Sequence, residues 1–271
     1  MPVLVTGPPR SAHLIMPVHP AKLIVMLIVM VIVMVHSGLA MAQGRGSFFK
    51  KSSSTPEQVE NGGEFIIVSG GPALRKWEDL REENEQHDRW WGNFIRAARA
   101  RIQQLQQQHG AGYPITWLVY RPGYVTRSEE DGQPLISWIE SVRDKYKINL
   151  VWLETGRDII RHINSGKDRK RVKIVGFEYY GNSNQYAFMM DYSNDILGAS
   201  TSWLHEKDLQ DIQPSAFSGK AKCRSYGCKT GESMSAKWRA ATGVRMWGAK
   251  GKTDYSNPLK PTLSPGGYWK R

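Results

Sequence analysis

The 271-residue chain predicts an α/β fold, a three-layer αβα sandwich around a mostly parallel sheet. Two observations lead there. Short runs rich in Val, Ile, Leu and aromatic residues alternate with segments whose apolar residues recur every three or four positions. That alternation is what parallel strands joined by crossover helices produce, with helices on both sheet faces. The strand-like runs are also bounded by turn residues, such as Gly70-Gly71-Pro72 and Arg121-Pro122-Gly123.

The first strand reads from Glu64 to Ser69 (EFIIVS), ended by Gly70-Gly71-Pro72. No GxGxxG or Walker pattern follows, and Pro72 lacks a backbone donor, so this glycine pair reads as a turn and not a phosphate cradle. From His87 to Gln108, Trp91, Phe94, Ile95, Ala98, Ile102 and Leu105 fall at helical spacing, and His109-Gly110 closes the helix. Ile115–Tyr120 is a second strand, which Arg121-Pro122-Gly123 is expected to stop. A helix over Pro134–Lys145, a strand over Ile148–Leu153, a short helix over Arg157–Ile163 and a strand over Val172–Tyr180 follow. Gln185–Asp191 reads as a hairpin-like edge and His205–Leu209 as a helical turn. Ala221–Tyr226 is a strand, Glu232–Ala241 a helix and Val244–Gly248 a last strand. Trp90, Trp91, Trp117, Trp138 and Trp152 take core-like positions, whereas Trp247, Tyr268 and Trp269 are candidates for the surface.

Lys22 precedes an unbroken apolar run of thirteen residues, Leu23–Val35, and Ala40-Met41-Ala42 supplies a small-x-small cleavage pattern. Residues 1–42 therefore read as a signal peptide, with Met16 as an alternative start and an uncleaved anchor as the alternative to cleavage. The run falls short of the roughly 20 residues of a comfortable membrane span, so no span is expected after cleavage. Residues 43–63 form a Gly-, Ser- and Lys-rich linker, 64–255 the α/β domain and 256–271 a Pro-rich tail draped over the surface. The protein is expected to be secreted or periplasmic. The formal net charge is +12, and +10 once Arg10 and Lys22 leave with the first 42 residues. Basic and acidic residues are interspersed and no nucleic-acid module is recognisable, so anionic envelope polymers are the partners that charge alone suggests. The two cysteines, Cys223 and Cys228, lie too far apart along an extended strand to bridge, and two free thiols are favoured. No cofactor is implied, and no CxxC or His/Cys cluster suggests a metal.

Cys228 is the best candidate for chemistry. It follows a strand and precedes a helix, with Gly227 and Gly231 beside it, in Ser225-Tyr226-Gly227-Cys228-Lys229-Thr230-Gly231-Glu232. A helix N-terminus and Lys229 favour a thiolate, and free N–H groups there offer an oxyanion hole; a plain buried cysteine is the alternative. The preceding strand ends at Gly181-Asn182-Ser183. In parallel sheets, reactive groups collect at such carboxyl ends. Asp191 and Asp195 follow in Met190-Asp191-Tyr192-Ser193-Asn194-Asp195, either lining a pocket for a basic side chain or, as favoured, forming turns. Gly248–Thr253 resembles half a P-loop, but Met246 stands where its first glycine belongs.

A strand ending in Gly-His-Ser, followed by a strand ending in Ser-Cys-x-Thr-Gly before a helix, is the layout of the caspase-like cysteine peptidases (caspases, gingipains, legumains and the self-cleaving domains of large bacterial toxins). Residues 64–250 resemble that family in strand order, and Gly181-Asn182-Ser183 and Tyr226–Gly231 resemble its two motifs. The chain also resembles a set of uncharacterised exported bacterial proteins through its WWGNF, LVYRPGY, DYSND and GESMS stretches, a likeness that carries no activity with it. The caspase-like resemblance implies a caspase-like sheet with Cys228 as nucleophile, and Asn182 stands where the histidine base belongs. Asparagine cannot exchange a proton near neutral pH. Of the histidines after residue 42, His205 is the first candidate for a displaced base and His87 the second; His109 and His162 complete the set.

Three readings follow. The first is a non-catalytic or impaired caspase-like domain that binds a peptide or cell-envelope component at the strand carboxyl ends, through Asn182, Ser183, Asp191, Asp195 and Lys229. The second is an active cysteine peptidase-like hydrolase using Cys228 and His205. The third is a basic binder of anionic envelope polymers. The missing histidine puts the first ahead.

Overall fold

The computed structural model describes residues 63–73, 75, 79, 90–191, 200–257 and 259–271. The signal peptide and most of the linker lie outside them. The elements are β1 (Glu64–Ser69), α1 (Asn93–His109), β2 (Ile115–Tyr120), α2 (Arg121–Asp131), α3 (Leu135–Tyr146), β3 (Asn149–Leu153), α4 (Asp158–Ser165), β4 (Ile174–Tyr180), β5 (Ala187–Met189), β6 (Trp203–His205), β7 (Phe217–Ser225), α5 (Met234–Thr242), β8 (Met246–Lys250), β9 (Thr253–Asp254), β10 (Thr262–Leu263) and β11 (Tyr268–Lys270). None of the described helices is long and apolar enough to cross a membrane.

Seven strands form one sheet in the order β11-β8-β7-β4-β1-β2-β3. All neighbours pair in parallel except β11, which runs antiparallel along β8. Every residue of β1 and β2 is buried, which explains their mostly apolar sequence. Alternate residues serve opposite layers. Phe65, Ile67, Trp117 and Val119 pack with Phe94 and Ile102 of α1, Tyr124 of α2 and Ile139 of α3. Ile66, Val68, Leu118 and Phe177 pack with Ile159 and Ile163 of α4 and Trp238 of α5. These two cores on one sheet make the three-layer αβα sandwich.

The chain steps from β1 outward through β2 and β3, then returns to lay β4 on the other side of β1. The order thus reverses between β1 and β4, where doubly wound sheets commonly hold a ligand. Here the crevice is filled by the protein. The Gly71 amide donates to the Met190 carbonyl, and Met190 is fully buried. Gly71 also faces Gly123, where an added Cβ would come within 3.1 Å of the Gly71 Cα. The close approach of two backbones explains both glycines; Gly70-Gly71-Pro72 ends β1 but forms no regular turn.

Three expectations need correction. Arg121-Pro122-Gly123 does not stop the chain but opens α2. Proline is tolerated in a first turn because the N–H it lacks has no partner there, and Tyr120 supplies an extended N-cap. The segment from 256 does not merely drape: β11 adds an edge strand to the sheet, and β10 pairs with β9. Trp90 and Trp138 are 40% and 43% exposed; both pack against half-buried Trp91. Trp117 is fully buried as expected.

The amino-terminal end of β1 carries a buried ionic network absent from the sequence reading. Glu64 is fully buried. Its carboxylate meets Arg169 Nη1 at 2.6 Å and His162 Nε2 at 3.2 Å, and accepts a hydrogen bond from Thr116. Burial opposes its ionisation, yet the hydrogen bonds from His162, Thr116 and Arg169, with the Arg169 charge, hold its pKa down at about 2.

Candidate functional site at the carboxyl ends of β4 and β7

β4 and β7 are parallel neighbours, with Tyr179 opposite Ser225, so the turns that follow them emerge side by side. The Tyr226 amide extends the ladder by donating to the Tyr179 carbonyl at 2.8 Å. The Ser183 hydroxyl then donates to the Cys228 carbonyl at 2.7 Å. The two motifs are thus brought into direct contact.

Cys228 is half-buried and unbridged; Cys223 is buried and also free. Alternation along β7 turns Cys223 into the core beside Trp238, and burial pushes its thiol up to about 12. The Cys228 sulfur is bracketed by Thr253 of β9: the Thr253 amide donates to it at 3.4 Å and the Thr253 hydroxyl lies 3.4 Å away. Among the described residues no imidazole hydrogen-bonds this sulfur. His205 is committed elsewhere. Its Nδ1 accepts from the Lys207 amide at 3.1 Å and its own amide donates to Asp208, a reciprocal cap on the 3₁₀ turn Glu206–Asp211. His109 stacks on Tyr113, and His162 binds Glu64 at the opposite end of the sheet. His87 lies outside the described residues.

Several of the amides expected to form an oxyanion hole are engaged within the protein. The Lys229 and Gly231 amides donate at 2.8 Å to the carbonyls of Gly251 and Ala249, which pins the turn to the end of β8. The Gly227 amide donates to the Ser225 hydroxyl, Glu232 to the Lys229 carbonyl and Met234 to the Gln185 carbonyl. Lys229 itself is exposed with a φ of 60°, so its side chain projects from a left-handed turn.

Asn182 is 8% exposed, and its side-chain amide nitrogen has no acceptor among the described residues. Its main-chain carbonyl accepts from the Tyr179 hydroxyl at 2.6 Å and from the Met189 amide at 2.9 Å. Above it the chain folds back as the β5–β6 hairpin, with Ala187 opposite His205. That hairpin carries the exposed side chains of Tyr186 and Trp203, 46% and 50% exposed. Asp191 does not reach this surface: it is 2% exposed and pairs with the Ser200 hydroxyl. Burial, then the Asp191 charge and hydrogen bond, push the Tyr120 hydroxyl up to about 12. Asp195 lies outside the described residues.

Residues Gly248–Lys250 belong to β8 and Thr253 to β9, so the P-loop-like stretch lacks the helix that phosphate binding requires. Among the described residues no group of three or more His, Cys, Asp or Glu side chains is placed to hold a metal ion. Sequence reasoning missed Thr253, which lies 25 residues beyond the thiol it brackets and carries no motif. It also missed Tyr186 and Trp203, whose exposure depends on the hairpin.

The fold and site together define an αβα-sandwich protein with a half-buried thiol between two tied turns. No protein-family model matches the chain, nor does any curated protein or solved structure.

Proposed function

We propose that the chain is an exported, non-catalytic relative of the caspase-like cysteine peptidases, which binds a peptide or cell-envelope component at the carboxyl ends of β4 and β7. The observation that carries this reading is the bracketing of the Cys228 sulfur by Thr253, with no described imidazole hydrogen-bonded to it. A thiol needs a base within hydrogen-bond reach to act as a peptidase nucleophile. The Gly227, Lys229 and Gly231 amides beside it are already used, so fewer donors are left there for charge developing on a substrate oxygen. The peptide is favoured as ligand by Tyr186 and Trp203, which offer large apolar faces with polar tips on the hairpin beside the turns.

The test combines a peptidyl acyloxymethyl ketone, which captures active cysteine peptidases, with an immobilised peptide array. The expected result is no covalent capture and no peptide cleavage. Array binding is expected to survive in Cys228→Ala and to be lost in Tyr186→Ala/Trp203→Ala. Cleavage that disappears in Cys228→Ala would establish a peptidase instead. Binding indifferent to both aromatic substitutions would remove the proposed site.

A further inference from the structure

The described helices on one side of the sheet stop short of β7 and β8. On that side α1 covers β1 and β4, and α5 packs on the opposite face. Between the α1 wall and the C-terminal segment lies a groove of about 1050 Å³, floored by β4, β7 and β8. Alternation along β7 sends Ala221 and Cys223 into the core and Lys220, Lys222 and Arg224 into this groove. On a strand, alternate residues repeat about every 6.6 Å, so these three cations form a regular row. Arg245, just before β8, and Arg271, beyond β11, extend the row sideways.

Eight arginines and lysines line the groove, against a single described carboxylate, Glu178. Glu178 is neutralised where it stands: the Arg101 Nε meets both of its oxygens at 3.0 Å and the Tyr180 hydroxyl donates to it at 2.8 Å. None of the other seven cations forms an ion pair among the described residues. A concave surface of one sign focuses the field on an anionic ligand. The volume lies at the upper end of small-molecule pockets, which span about 300–1,000 Å³, and suits a segment of a chain.

The geometry points to a binding groove for a linear acidic polysaccharide. Its charge comes from uronate-type carboxylates, which meet the row on β7. Its hydroxyls have partners on the opposite wall, where Gln103, Gln104 and Gln107 present side-chain amides that both donate and accept. Single-stranded nucleic acid is the weaker match because its binders offer open aromatic faces to bases. Here the Arg271 guanidinium covers Trp247 at 4.3 Å, Arg224 lies over Trp269 at 5.3 Å, and Tyr226 stacks on Tyr180. A peptide added as a strand needs a sheet edge, whereas this groove lies on a face.

The experiment titrates the full chain with oligogalacturonate, its neutral methyl ester and oligothymidylate, by calorimetry at about 0.15 M salt. Two variants of equal charge are compared. Lys220→Glu/Lys222→Glu lies in the groove, and Lys170→Glu/Lys207→Glu is exposed elsewhere. Oligogalacturonate is expected to bind, and the groove variant to bind it about tenfold or more weakly while the other stays near the parent, because complementary contacts and not net charge set the affinity. Lys222→Gln, which removes one charge without reversing it, is expected to fall between parent and groove variant, with an unchanged melting temperature. Absence of binding, equal loss in both double variants, equal binding of the methyl ester, or oligothymidylate bound as tightly would each overturn the proposal. The strand-end reading is unaffected by any of these outcomes, since its readouts depend on Tyr186, Trp203 and Cys228.

Discussion

The Ser183 hydroxyl donates to the Cys228 carbonyl at 2.7 Å, and this one bond ties together two turns 45 positions apart in the chain. It also explains Gly227: a Cβ there would stand 2.2 Å from Ser183 Oγ and 2.8 Å from Ser183 Cβ. Ser183→Ala is expected to cost about 0.5–1.5 kcal/mol, the usual worth of such a bond. Gly227→Ala is expected to cost more, since it must displace Ser183 and break the bond as well. Denaturant unfolding of both variants checks the order; a Gly227→Ala protein as stable as the parent would contradict it.

The two thiols should separate cleanly in reactivity. Cys223 is 2% exposed, and burial raises its pKa to about 12, so its thiolate is scarce and inaccessible in the folded protein. Cys228 is half-buried. Brief treatment with iodoacetamide at neutral pH, read by peptide mass mapping, is expected to modify Cys228 alone. Modification of Cys223 is expected only after unfolding.

Glu64 predicts an acid limit on stability. Its pKa is about 2 in the folded protein against an ordinary 4.5. The unfolded chain therefore takes up its proton first as pH falls. The stabilisation, on the order of 3 kcal/mol by linkage, is fully present above about pH 4.5 and is lost on descending from there to about pH 2. Melting temperature against pH should fall across that window, and Glu64→Gln should flatten this part of the profile. At neutral pH the same variant leaves the Arg169 guanidinium buried without its partner, a change expected to cost about 3–5 kcal/mol.

β11 should protect the sheet. Truncation after Gly267 removes Tyr268–Arg271 and frees the hydrogen-bonding edge of β8 that Tyr268–Lys270 occupy. An open edge strand invites pairing with another chain, so the truncated protein is expected to associate at concentrations where the parent does not. Light scattering across a dilution series checks this.

Periodicity alone was enough to read the αβα class, the succession of strands and helices along the chain and the location of the Asn182 and Cys228 turns at strand ends. Burial on both faces writes unbroken apolar runs, and helix faces write a three-to-four repeat, so both are local signals. α2 escaped that reading because Pro122 and Gly123 look like a stop unless the strand before them supplies a cap and a second glycine waits opposite. The state of Cys228 was equally out of reach. Whether a thiol meets a base or a threonine depends on which remote segment crosses it, and Thr253 arrives there only because β8 and β9 return past the end of β7. The basic face shows the same division. Lys220-Ala221-Lys222-Cys223-Arg224 carries its alternation in plain view, but only the tertiary structure decides that none of the described helices covers the charged side. The sequence by itself determined what each element would bury; the packing of distant elements decided what each end and face would meet.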